Sequence, residues 1–166
     1  MEIRKIQMED AYNYLDMLLK LDNETKFMMF EPGERPTDIN IAKNIIDKSI
    51  NGDNLVLVAI DGENIIGFLS VQKGGHKRIK HIGYVVVGIR EKYRSMGIGS
   101  KLFSELDIWA IENKITRLEL SVICSNTIAK HLYEKNGFEV EGIKRNAMLI
   151  DDEYVDEFYM AKIYNI

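Results

Sequence analysis

Two hydrophobic rhythms alternate along the chain, and their order predicts a mixed α/β fold. Residues 2–7, EIRKIQ, alternate polar and apolar as a half-buried strand does. In MEDAYNYLDMLLKLD the period changes and puts Ala11, Leu15, Leu18 and Leu19 on one helical face. Order loosens from residue 22 to 36, through NETKFMMFEPGERP, which holds both prolines of the chain and a Pro-Gly turn signal. Thr37 then serves as the N-cap of a second helix, with Ile39, Ala42, Ile45, Ile46 and Ile50 at helical spacing until Gly52.

Three β-rich runs follow, and we expect antiparallel strands near 54–60, 64–73 and 78–89, the first two joined by a tight turn at Asp61-Gly62. Leu102, Phe103, Leu106, Trp109 and Ala110 mark a third helix, and TRLELSV reads as the next strand. NTIAKHLYEKNG is a short helix with Asn126 as N-cap and Gly137 just past its end. FEVEGIKRNAMLI and EYVDEFYMAKI close the chain as a hairpin turned at Asp151-Asp152.

Composition narrows this picture. At 166 residues, 46% apolar and 29% charged, the chain suits one soluble domain spanning residues 1–166, without repeats or linkers. A formal net charge of −4 leaves no field to hold a nucleic-acid backbone or an anionic membrane, so neither is expected as a partner. The first residues lack the apolar core of a signal peptide and no apolar run reaches membrane-span length, which points to the cytoplasm. The single cysteine, Cys124, and three histidines without ligand spacing speak against a metal site.

The candidate chemistry begins at YRSMGIGS, residues 93–100, where an arginine and two glycines stand between an apolar run and an amphipathic one. A helix start offers N–H groups and the positive end of a dipole to an anion, and Gly97 and Gly99 remove side chains that would block its approach. The spacing is not that of a Walker loop, because Lys101 follows Ser100 instead of preceding it. Nor is it a dinucleotide fingerprint, since Leu102 stands where the third glycine belongs. An ordinary strand-to-helix turn is the bland alternative.

Arg94-Ser95-Met96-Gly97-Ile98-Gly99, taken with NTIAKHLYEKNGF some thirty residues on, resembles the signature of the GNAT superfamily of acetyl-CoA-dependent N-acetyltransferases. The element order over nearly the whole chain is similar too. FEPGERPT, LELSVICSN and EYVDEFYMAKI resemble bacterial members of the ribosomal-protein and polyamine acetyltransferase kind. The resemblance implies a mixed, mostly antiparallel sheet of about seven strands with helices on both faces and a cleft where the fourth and fifth strands splay.

It also implies roles. The amides of Arg94, Ser95, Met96, Gly97, Ile98, Gly99 and Ser100 would hold the pyrophosphate of acetyl-CoA, and Ile89 would offer main-chain contact to the pantetheine arm. Asn126 matches the family asparagine that contacts the cofactor, with Ala129 and Tyr133 one and two turns on; Asn126 as a simple helix cap is equally compatible. Tyr133 stands where members carry the tyrosine that protonates the departing thiolate, against a packing role beside Ile128, Ala129 and Leu132. His81 falls where some members carry an acidic base for the amine, although a surface or strand-filling histidine fits as well.

Cys124 reads as a small buried hydrophobe and not as a nucleophile. By resemblance the acceptor approaches across the loop between the first two helices and the last hairpin, where Glu31, Glu34, Asp38, Asp151, Asp152 and Asp156 would form an acidic rim beside the apolar run Phe27–Phe30. The acceptor classes are a peptide N-terminus, a polyamine or a small amine. Direct transfer to a primary amine is the leading reading, a non-catalytic acyl-CoA-binding regulatory domain the alternative, and a nucleotide-binding module of another fold the third. A homodimer through the C-terminal strands is a family-level expectation.

Overall fold

The computed structural model describes all 166 residues, which form two compact units: Met1–Gln72 with Val86–Leu102, and Lys73–Val85 with Phe103–Ile166. The elements in chain order are β1 (Glu2–Lys5), α1 (Ala11–Glu24), α2 (Ile39–Ile50), β2 (Leu55–Asp61), β3 (Asn64–Lys73), β4 (Ile82–Ile89), α3 (Ile98–Glu112), β5 (Arg117–Ile123), α4 (Thr127–Lys135), β6 (Glu139–Ile150) and β7 (Glu153–Ile163). The strands form one seven-stranded mixed sheet in the order β1-β2-β3-β4-β5-β7-β6. The β4–β5 ladder is parallel and holds three pairs, Ile82–Arg117, Gly83–Leu118 and Tyr84–Glu119. Parallel neighbours need a long crossover, which α3 provides.

In the first unit, α1 and α2 pack with β2 and β3 around Tyr14, Met17, Leu21, Ile46, Val58 and Phe68, with the Tyr14 and Phe68 rings edge to face at 5.8 Å. The buried stripe of α1 runs Ala11, Tyr14, Met17, Leu18, Leu21 and Asp22, whereas Leu15 and Leu19 sit at its margin, half-buried. Counting only leucine and alanine put the face one position off, because tyrosine and methionine also bury their apolar bodies. The helix runs on to Glu24, three residues into the stretch expected to be loop. Asp38 and not Thr37 caps α2, its carboxylate accepting from the Asn40 amide at 2.9 Å.

The second unit departs from expectation at β4, which begins at Ile82 and not at residue 78. Residues 74–81 are instead a folded loop: Lys77–Ile79 make a single 3-10 turn, and the Gly74 N–H donates to the Ile82 carbonyl at 2.9 Å. A Cβ on Gly74 would lie 2.1 Å from the Ile79 oxygen, so only glycine permits this closure. The hairpin β6–β7 turns at Asp151 and Asp152 with φ of 50° and 63°, the left-handed pair that a two-residue turn requires.

Candidate cofactor and catalytic site

In the first unit, β4 delivers the chain into the glycine loop through a set of local hydrogen bonds. The Arg90 N–H donates to the Ile66 carbonyl at 2.9 Å, Tyr93 N–H to Arg90 at 2.9 Å and Arg94 N–H to Glu91 at 3.2 Å. Arg94 Nε donates to the carbonyl of Ile89 at 3.1 Å, so the signature arginine closes back on the strand end. That oxygen keeps a second lone pair for another donor.

Beyond this knot the backbone turns left-handed twice, at Ser95 (φ 60°) and Gly97 (φ 77°), immediately before α3 starts at Ile98. Left-handed residues two apart swing successive N–H groups towards a common side, and the first turn of a helix adds donors without intrahelical acceptors. A Cβ on Gly97 would meet no atom within 4 Å, so it is the backbone angle and the open approach that call for glycine there, not crowding by the protein. Ser95, Met96 and Gly97 are exposed, while Ile98 and Gly99 are buried at the helix start. The amides of residues 95–97 thus lie on an exposed stretch that is open at Gly97.

Two carboxylates on the last turn of α1 reach out from this unit's core. Glu24 takes Arg90 Nε at 2.8 Å and the Glu91 N–H at 2.9 Å. Burial alone would push the Glu24 carboxyl up, but the Arg90 and Glu91 hydrogen bonds outweigh it and hold the group below its ordinary value. Asp22, 2% exposed, accepts both Nε and Nη2 of Arg35 at 2.6 and 2.9 Å. Arg35 also lies over the Phe30 ring at 4.7 Å, which ties the apolar run to the same anchor. Phe27 and Met29 stay exposed in that run, and Met28 packs on the core.

In the second unit, α4 carries Asn126, Ala129 and Tyr133 along one face, at spacings of three and four. Asn126 Oδ1 accepts from the Ala129 N–H at 3.2 Å, so the side chain caps the helix; its amide nitrogen has two further hydrogens to offer. Tyr133 is buried, and its ring meets Phe103 at 5.8 Å and Phe138 at 6.2 Å. Its packing partners are these aromatics and not Ile128, which is 78% exposed. Burial first, and the nearby Tyr84 second, push its phenol well above the ordinary range, so it is a neutral donor at any physiological pH.

The same unit holds a pocket of about 260 Å³ lined by Tyr84, Arg117, Glu119, Ser121, Glu141 and Tyr159, among others, none of which the sequence reading singled out. Arg117 donates through Nε to Glu119 at 2.8 Å and through Nη1 to Glu141 at 3.1 Å, so this guanidinium is already paired with two carboxylates of the lining. The available signal was the alternation in RLEL, which sends Arg117 and Glu119 to the opposite side from Leu118 and Leu120.

Other expected residues have plainer surroundings. His81 is exposed and stands one residue before β4, at the opposite end of that strand from Ile89, with its carbonyl taking the N–H groups of Thr116 and Arg117. Cys124 is half-buried, and burial above all pushes its thiol up, away from a nucleophilic thiolate. Several acidic residues of the expected rim serve the backbone: Glu34 accepts from the Glu31 amide, Asp38 caps α2 and Asp156 accepts from Asn146 N–H. No three His, Cys, Asp or Glu side chains are grouped to hold a metal ion, and no helix is long and apolar enough to cross a membrane.

Similarity to known proteins identifies the class. The L-amino acid N-acetyltransferase AaaT of Escherichia coli (strain K12) is 29% identical over 132 residues, 77% of this chain and 78% of that protein. A GNAT-family acetyltransferase from Streptococcus pneumoniae superimposes with a TM-score of 0.94 at 28% identity, covering 98% of this chain and 99% of its own. The fold is also that of YncA from Salmonella typhimurium, whose structure was described with its cofactor acetyl-CoA, at a TM-score of 0.89 and 16% identity over 100% of this chain and 95% of that one. The model of the acetyltransferase (GNAT) family matches residues 15–138, from within α1 to the start of β6. The chain therefore belongs to the acetyltransferase (GNAT) family and is an acetyl-CoA-dependent acyltransferase.

Proposed function

We propose that this enzyme transfers the acetyl group to a primary amine by direct attack, with residues 94–100 binding the diphosphate of coenzyme A and Tyr133 acting as the general acid. The observation that carries the reading is the pair of left-handed residues, Ser95 and Gly97, opening directly into α3, since an ordinary strand-to-helix turn has no need for two. Acetyl-CoA supplies an activated acyl carbon and a sulfur leaving group that needs a proton. Asn126 would offer its amide hydrogens to the cofactor without giving up the cap, and Ala129 would keep the face of α4 low between Asn126 and Tyr133.

Burial keeps the Tyr133 phenol protonated, so a proton is present at that oxygen when the thiolate departs; the same upward shift weakens the acid, so the role rests on position and not on acidity. The amine must arrive neutral, since an alkylamine with a pKa of about 10 is mostly cationic at pH 7. His81, exposed and at the amino end of β4, has no partner that would orient it as a base. AaaT is named for L-amino acids, and a structural neighbour from Brucella melitensis is named for the alanine of a ribosomal protein, so amino acids and protein N-termini lead the acceptor classes.

The test is thiol release from acetyl-CoA with amino acids, N-terminal peptides and polyamines, for the wild type and Tyr133→Phe side by side. Turnover on one class, lost in the variant, supports both the reaction and the acid. Turnover that is equal in both would remove Tyr133 from the mechanism. Acetyl-CoA binding with no turnover on any amine would favour the acyl-CoA-binding regulatory reading instead.

A further inference from the structure

Glu24 lies on α1, 66 residues before Arg90, yet its carboxylate closes on two consecutive residues at the mouth of the glycine loop. Its Oε1 receives the Arg90 guanidinium through Nε at 2.8 Å and Nη2 at 2.7 Å, and its Oε2 receives the main-chain N–H of Glu91 at 2.9 Å. The two side chains are 20% and 19% exposed, shielded enough for the pair to hold its geometry. Arg90 is fixed a third way, by its own N–H on Ile66 of β3. The loop therefore leaves a junction clamped by a helix on one side and a strand on the other.

We infer that Glu24 is a positioning residue for coenzyme A: it sets the angle at which residues 94–100 leave β4, so that the turn at Ser95 and Gly97 is formed before the ligand arrives. The inference rests on the reading of that loop as the cofactor cradle. Its physical basis is preorganisation. A loop whose amides already converge loses less freedom on binding an anion than one that must first fold. Glu24 also sits within electrostatic reach of Arg94, so its negative charge by itself works against binding a diphosphate. Positioning and charge thus push affinity in opposite directions.

The charge-balanced double variant Glu24→Ala/Arg90→Ala separates them, because it removes the clamp and leaves net charge unchanged. Calorimetry with free coenzyme A is expected to show about tenfold weaker binding, the equivalent of one charge-assisted hydrogen bond lost. Amide hydrogen exchange of the ligand-free protein is expected to quicken at residues 94–100 and not in α2. Arg90→Lys, which keeps the charge and loses the guanidinium fork, should fall between the wild type and the double variant and serves if the double variant folds poorly. Affinity within twofold of the wild type, or exchange that quickens equally throughout the first unit, would overturn the inference and leave the pair a brace of the fold. A wild-type protein that does not bind coenzyme A would overturn the cradle itself.

Discussion

The loop at 94–100 and the helix α4 contribute to the proposed reaction in opposite ways. The loop offers main chain: there is no side chain at Gly97, Met96 is 56% exposed, Arg94 turns back to the Ile89 carbonyl and Ile98 is buried. The helix offers side chains, a capping amide at Asn126 and a buried phenol at Tyr133. What the loop needs is a backbone path, and what the helix needs is particular atoms. Substitutions should therefore hurt the loop by shape and charge, and hurt the helix by subtraction.

The largest effect is expected at Gly97. Aspartate tolerates left-handed backbone better than most residues, and a Cβ there meets nothing within 4 Å, so Gly97→Asp should fold. Its carboxylate would stand where the diphosphate is proposed to bind, and coenzyme A affinity by calorimetry should drop by roughly 100-fold or more. Gly97→Asn, of the same shape without the charge, should lose about tenfold or less. Equal losses would mean that shape alone governs the loop.

Next is Tyr133→Phe, which subtracts one oxygen and keeps the ring between Phe103 and Phe138. Turnover at saturating substrates should fall about 100-fold while coenzyme A affinity is unchanged, the split expected of a general acid. Because burial raises the phenol, kcat of the wild type should show no loss of this acid up to its ordinary value of 10.0. An alkaline fall near pH 8 that persists in the variant would belong to another group.

The two regions were unequally legible in the sequence. Everything that starts and stops α4 is local: Asn126 caps it, and Gly137, φ 91°, ends it. The glycines of the loop were legible for the same reason, since spacing alone distinguished them from two other phosphate loops. The left-handed Ser95 was not, because serine carries no backbone signature of its own. The Glu24–Arg90 and Asp22–Arg35 pairs were hidden for different reasons. One joins residues 66 apart, and the other buries a carboxylate on what pattern reading assigns to a polar stretch. At β4 an apolar Ile79 mimicked a strand residue, but it is 41% exposed on a loop that Gly74 closes.

A smaller effect separates the two jobs given to Asn126. Asn126→Ala should cost about 1 kcal/mol of stability through the lost cap, read as a shift in denaturant midpoint. Asn126→Asp keeps the cap oxygen and loses the amide hydrogens. If Asn126 also serves the cofactor, Asn126→Asp should keep stability and lose affinity, whereas a cap alone would leave both intact.

The smallest effect concerns the base of the loop and reads out in stability. Glu24 has its folded carboxyl held below the ordinary 4.5, so its contribution is fully present above that pH and is lost as pH falls through the lower folded value. The wild type and Glu24→Gln should thus differ in melting temperature at pH 7 and converge in acid, once pH has fallen below the lowered Glu24 value. The convergence is diagnostic because Tyr133, whose shift is upward, cannot contribute in that window. A gap that stays constant with pH would mean that the Glu24 oxygens matter as hydrogen-bond acceptors and not as a charge, which would align the loop's foundation with its rim as a main-chain device.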